Sequence, residues 1–206
     1  MTEITTARHG QTLEISFNRP EKMNAITRAM YAGLTTNLNE AAGDFGIRCV
    51  VLTSQGDHFT SGNDIGDFMF NPPTESDSDV AKFLGALLDF PKPLLAAVKG
   101  NAIGVGTTML LHCDIVIANP SAKFSMPFTS LGLVPEAGSS MLFPQLVGHQ
   151  RAAKIFMTGE PFSADEAREM GLVAEVADDA RAKALEIAER IAEQPPQAII
   201  NTKALM

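Results

Sequence analysis

Residues 92–120, KPLLAAVKGNAIGVGTTMLLHCDIVIANP, decide the fold. They divide into an apolar run (PLLAAVKG), a glycine-bearing turn (NAIGVG), a short helical stretch (TTMLLHC) and a second apolar run (DIVIANP). Short strands that are apolar at nearly every position suit a parallel sheet covered on both faces. Strand, turn, helix and strand in that order form a crossover unit, so the chain is expected to be α/β, with a right-handed, mostly parallel core.

The pattern extends in both directions. Upstream, RCVVLTS (48–54) is another nearly all-apolar strand, and AKFSMP (122–127) downstream reads as a fourth, short one. Residues 4–9 and 12–17 alternate around His9-Gly10-Gln11 and predict a hairpin. The loop NRPEKMNAI follows. Thr27 then caps a helix carrying Met30, Leu34, Leu38, Ala41 and Phe45 on its inward face. Residues 68–79, FMFNPPTESDSD, read as a mobile excursion before a helix over 80–89. After Pro135 the chain turns helical, with helices over 137–145 and 149–157. Ser163 and Glu166 form a capping box for a third helix stopping at Gly171. LVAEVA (172–177) is a short strand. Asp178 opens an amphipathic helix with Leu185, Ala188, Ile191 and Ala192 inward, and another helix begins after Pro195-Pro196.

Composition limits the function. With 206 residues, 45% of them hydrophobic and a net charge of −8, the chain suits one soluble domain with a sizeable core. That charge argues against a nucleic-acid surface, which needs a basic face, and leaves open a local basic patch for a small phosphorylated ligand. Cys49 and Cys113 sit in apolar runs and read as core thiols, with no metal-ligand spacing around them. No apolar run approaches a membrane span, and the N-terminus carries no apolar signal region, so a reduced cytoplasmic setting is expected.

Three places carry possible chemistry. Within FSMPFTSLGLVPEAGSSMLFPQLVG (124–148) the one carboxylate is Glu136. It is either held by donors at a helix start, where an acid suits the dipole, or desolvated into a general base with a raised pKa. The turns FTSGND (59–64) and AIGVGTT (102–108) each place glycine where backbone approaches closely. Two such turns could aim two N–H groups at one oxygen, each donor worth about 3–4 kcal/mol in a transition state; equally, they could be tight turns without a ligand. Gly104-Val105-Gly106 is not a dinucleotide fingerprint, because the third glycine and the later acid are missing. His58, His112 and Asp64 read as loop or helix-end braces. Ser139 and Ser140 lack a Ser-His-Asp context, and Thr107 and Thr108 read as lining without proton transfer.

NRPEKMNA, FTSGNDI, KPLLAAVKGNAIGVG with CDIVIA, and FSMPFTSLGLVPEAGSS together resemble the crotonase (enoyl-CoA hydratase/isomerase) superfamily, over essentially the whole chain. The resemblance implies a crotonase spiral of ββα units with a C-terminal helical region. Residues 1–195 would form the core domain, with the spiral to about 135, and residues 196–206 would begin a shortened C-terminal helical subdomain. It implies an acyl-CoA thioester substrate, with coenzyme A present only as part of that substrate. No metal or other cofactor is implied, and assembly as a homotrimer or hexamer is.

By position, the family's two oxyanion donors fall on Ser61 and Val105, with Gly104 beside the second. Its two hydratase glutamates fall on Thr108 and Phe128, neither acidic. The pattern is therefore similar to the monofunctional enoyl-CoA isomerase branch, whose single glutamate lands on Glu136. That implies conversion of 3-enoyl-CoA to trans-2-enoyl-CoA in unsaturated fatty acid β-oxidation. The CoA moiety would meet Lys22, Ala25 and the backbone of Ser61, Gly62, Asn63, Asp64 and Ile65. Phe68, Phe70 and Phe128 are candidates for the acyl pocket, although core packing explains Phe128 equally well. A hydratase or other enolate-stabilising reaction is one alternative, and an acyl-CoA-binding scaffold without turnover is another.

Overall fold

A computed structural model describes residues 2–70 and 77–206, without the side chain of Phe70. In chain order the elements are β1 (Ile4–His9), β2 (Thr12–Phe17), α1 (Arg28–Gly43), β3 (Cys49–Ser54), α2 (Ile65–Phe70), α3 (Asp79–Leu88), β4 (Leu94–Val98), β5 (Asn101–Ile103) and α4 (Val105–Thr108). There follow β6 (Ile115–Ala118), β7 (Lys123–Ser125), α5 (Ser139–Val147), α6 (His149–Thr158), β8 (Phe162–Ser163), α7 (Ala164–Glu169), β9 (Glu175–Val176), α8 (Ala180–Ala192) and α9 (Pro196–Leu205).

Among these elements the main sheet has the order β1-β2-β3-β4-β6-β9, and a second sheet has the order β5-β7-β8. In the main sheet the β1–β2 hairpin is antiparallel and each later pairing is parallel. The alternation of the pleat explains the unbroken apolar strands. Val50, Leu52, Leu94, Ala96 and Val116 face the larger core with Met30, Leu34 and Leu38 of α1 and Phe83 and Leu87 of α3. Their neighbours Cys49, Val51, Leu95, Ala97 and Ile117 face the other way, onto Ala180, Ala184 and Ala188 of α8. Alanine at that spacing lets the helix sit close against three strands at once.

Several boundaries differ from the sequence expectation, each for a local reason. Phe45 does not face inward: α1 ends at Gly43, helical periodicity lapses with it, and Phe45 is 97% exposed. The turn NAIGVG is shorter than expected because its first three residues form β5, which pairs with β7 in the second sheet. The helix expected over 137–145 starts instead at Ser139, since Ala137 and Gly138 have φ of 53° and 67°, outside the right-handed helical region. Asp179 rather than Asp178 caps α8, its side chain accepting from Ala182 N at 2.9 Å. Leu185 and Ile191 of that helix are only partly buried. The expected excursion over 68–79 begins as helix, in α2, and residues 71–76 lie outside the described residues. The capping box at Ser163 and Glu166 is present with both of its hydrogen bonds.

α9 buries none of its residues fully; Lys203 ties it to Lys92 O and to Asp114 Oδ2, both at 2.8 Å. Both cysteines are free, Cys49 buried and Cys113 partly so, and burial pushes each thiol up to about 12. No helix among the described residues is long and apolar enough to cross a membrane.

Candidate active site

Four segments are joined in series, contact by contact: the loop after β2 to the Thr60–Asp64 loop, that loop to the turn before α4, and α4, through Thr108, to Glu136. The loop after β2 is pinned by Asn24, which is fully buried with φ of 55°. Its side-chain amide donates to Gln55 O and His58 O at 2.9 and 2.8 Å, and its backbone carbonyl accepts from Thr60 Oγ1 at 2.6 Å. The Thr60–Asp64 loop is then clamped between two parallel bridges, Ile26 with Asn63 and Thr60 with Ala102. Gly62 (φ 87°) is needed where it stands, because a Cβ there would lie 2.8 Å from Ile103 O. The two glycine turns thus press against each other.

Which N–H groups remain open follows from these bonds. Ser61 does not present a free donor, contrary to the expectation: its N–H is taken by Met23 O at 2.9 Å. Gly62 N donates to Thr60 Oγ1 and Asp64 N to Ile26 O. Between them, Asn63 N–H has no acceptor among the described residues. Gly62 O accepts from Ile26 N at 2.8 Å, and in a trans peptide the N–H of the next residue points the opposite way, so Asn63 N–H is directed away from that bridge. Val105 is alike. Gly104 O accepts from Thr107 N and Thr108 N at 2.9 and 3.0 Å, which turns Val105 N–H outward at the first position of α4 with no acceptor among the described residues.

Glu136 precedes α5 by three residues rather than opening it. Thr108 Oγ1 donates to Glu136 Oε1, and Oε2 takes no hydrogen bond among the described residues. Burial pushes the Glu136 carboxyl up, and the Thr108 hydrogen bond only partly offsets this. Four residues after Thr108, His112 Nε2 lies 2.8 Å from Ala137 O, so one face of a single helical segment holds both the acid and the residue after it. Ser139 Oγ donates to Glu136 O at 2.6 Å.

The remaining predicted residues are placed as follows. Lys22 is exposed in a 3-10 turn (Pro20–Lys22), and both backbone groups of Ala25 are engaged, with Lys22 O and with Arg19 Nη1, each at 3.0 Å. Asp64 braces its loop, pairing with Arg19 at 2.7 Å and accepting from Asp67 N at 3.1 Å; these contacts hold its carboxyl below the ordinary value. Ile65 is 67% exposed and Phe128 is buried in the main core. His58 Nδ1 accepts from Asn101 N at 3.2 Å, a loop brace as expected. Among the described residues no three His, Cys, Asp or Glu side chains come together as a metal site. Asn63 as the open donor was missed in sequence, as was Tyr31, whose hydroxyl bonds to the Asn63 side chain.

Residues 8–206 match the family described as enoyl-CoA hydratase/isomerase. The chain belongs to that family. It is 39% identical to human enoyl-CoA delta isomerase 2 over 185 residues, 86% of this chain and 46% of that protein. It is 34% identical to 2,3-dehydroadipyl-CoA hydratase of Escherichia coli over 206 residues, 98% of this chain and 81% of that one. Its fold superposes on a solved enoyl-CoA hydratase/isomerase from Pseudoalteromonas atlantica with a TM-score of 0.94 at 44% identity, covering 98% of this chain and 82% of that one. The crotonase-type α/β fold expected from the motifs is therefore the fold of this chain, and its relatives include both isomerases and hydratases.

Proposed function

We propose that the protein isomerises 3-enoyl-CoA thioesters to trans-2-enoyl-CoA, with Glu136 carrying the proton. The observation behind this reading is that Glu136 is a desolvated acid whose immediate partner is the neutral hydroxyl of Thr108, the position on which the family resemblance puts a hydratase glutamate. Hydration needs two groups to orient and deprotonate water, whereas a double-bond shift needs one base that takes a proton and returns it.

A 3-enoyl thioester has acidic C2 hydrogens, flanked by carbonyl and alkene. Glu136 removes one, and the electron pair moves into the dienolate, placing charge on the thioester oxygen. The open N–H groups of Asn63 and Val105 supply the oxyanion donors, Asn63 in place of Ser61. The protonated Glu136 then delivers its proton to C4 and the alkene becomes conjugated, with no net change in atoms or charge. Coenzyme A is assigned to the loop carrying Lys22 and Ala25 and to the Ser61–Ile65 backbone; Phe128, packed in the main core, is left out of the acyl pocket.

Incubation with 3-hexenoyl-CoA and, separately, with 2-hexenoyl-CoA tests the assignment. Migration of the double bond in the first and no 3-hydroxyacyl product in the second is the expected result. Hydration of the second would make the protein a hydratase, and tight binding with neither product would make it a scaffold.

A further inference from the structure

Tyr31 of α1 is wholly buried, packed on Phe83 with ring centroids 5.3 Å apart. Phenylalanine would serve that packing equally well, yet the residue brings a hydroxyl into an apolar core, a costly placement unless the hydroxyl is bonded. Its partner is Asn63 Oδ1, in the loop between β3 and α2. Asn63 is the residue whose backbone N–H is left open while those of Ser61, Gly62 and Asp64 are engaged. Glu136 lies near enough to Tyr31 that its charge, after burial itself, helps hold the phenol in its protonated, donating form.

We infer that Tyr31 is a positioning residue: its hydroxyl grips the Asn63 side chain and so fixes the direction of the Asn63 N–H toward the reacting thioester oxygen. The inference rests on the enolate chemistry proposed above. Gly62, immediately before Asn63, has φ of 87°, so the peptide that carries this N–H follows a residue with unusual rotational freedom. The Ile26 N–H bond to Gly62 O restrains that peptide from one side. The Tyr31 hydroxyl restrains the next residue from the other, linking the helix that packs on the sheet to the loop that carries the donor.

The test uses Tyr31→Phe, Asn63→Ala and the double variant, since Asn63→Ala keeps the backbone N–H while removing the grip. Thermal melting establishes that each variant is folded. Two readouts are taken: kcat and KM on 3-hexenoyl-CoA, and the near-ultraviolet enolate band of bound acetoacetyl-CoA, which reports oxyanion stabilisation without turnover. Each single variant is expected to lower kcat by about 10-fold with little change in KM. The enolate band should weaken in parallel, and the double variant should be no worse than the poorer single one. Wild-type kcat and a full enolate band in Tyr31→Phe, or losses that multiply in the double variant, would overturn the role of Tyr31 and leave the proposed reaction standing. A wild-type protein that forms no enolate on acetoacetyl-CoA would overturn the reaction itself, and the Tyr31 role with it.

Discussion

Among the described residues, the carboxylates of Glu14, which is buried, and Glu136, which is partly buried, are treated in opposite ways. Glu14 on β2 is 2% exposed and heavily partnered. Arg181 of α8 grips both its oxygens at 2.6 and 2.7 Å, Thr53 donates at 2.9 Å and His9 Nε2 lies at 2.7 Å. Burial alone would raise its pKa, but these bonds, Arg181 foremost, outweigh it and hold the carboxyl down at about 2. Glu136 has one neutral hydroxyl, and burial wins. The first is a fixed anion fastening α8 to the sheet. The second is an acid left able to gain and lose a proton. Glu14 is buried and Glu136 partly so, and the opposite direction of their shifts follows from how many compensating donors each has.

The contrast breaks most completely at Glu136 itself. Glu136→Gln keeps the shape and removes the base, and turnover should fall by about 10²–10⁴-fold with CoA binding retained, measured by steady-state kinetics and calorimetric titration. Breaking the other side, Arg181→Ala should lower stability by roughly 2 kcal/mol in denaturant melts, less than for a fully buried pair because Arg181 is half exposed.

The two acids should also respond to pH with opposite sign. Glu14 has a depressed folded pKa, so its stabilisation is present above about 4.5 and is lost as pH falls from there toward about 2. Glu136 has a raised folded pKa, so it favours the fold while protonated and costs stability once pH rises through that value. Melting curves of Glu136→Gln should therefore sit above wild type at pH 8 and converge with it near pH 4. A smaller effect comes from Thr108→Val, which removes the one bond lowering the Glu136 pKa. The acid limb of kcat/KM should move to higher pH, and an unmoved limb would mean that Thr108 does not hold the base. Ser61→Ala should change almost nothing, because the substitution keeps the N–H bond to Met23 O and the hydroxyl it removes makes no hydrogen bond among the described residues.

Much of this was legible in the sequence. Nearly all-apolar runs such as CVVLTS and LLAAV announce strands covered on both faces, and the Ser163–Glu166 box announces its helix, because those signals are local. Glu136 stood out as one acid in an apolar, glycine-bearing stretch. The choice between Ser61 and Asn63 was not legible. It depends on acceptors at Met23 and Ile26, more than 30 residues away, which decide which N–H groups of the loop remain free. Tyr31 was hidden for a different reason. Helical periodicity marks an aromatic residue as core packing and says nothing about where its hydroxyl points. Phe45 failed by the reverse route, since the period that would bury it continues one turn beyond the end of the helix.

The central claim, one acid carrying one proton between two carbons, is tested most directly by isotope position. 3-Hexenoyl-CoA deuterated at C2 is converted in ordinary water and the product analysed by NMR. The account predicts trans-2-hexenoyl-CoA with deuterium delivered to C4. A product whose C4 hydrogen comes from solvent alone, or one carrying a 3-hydroxyl group, would contradict it.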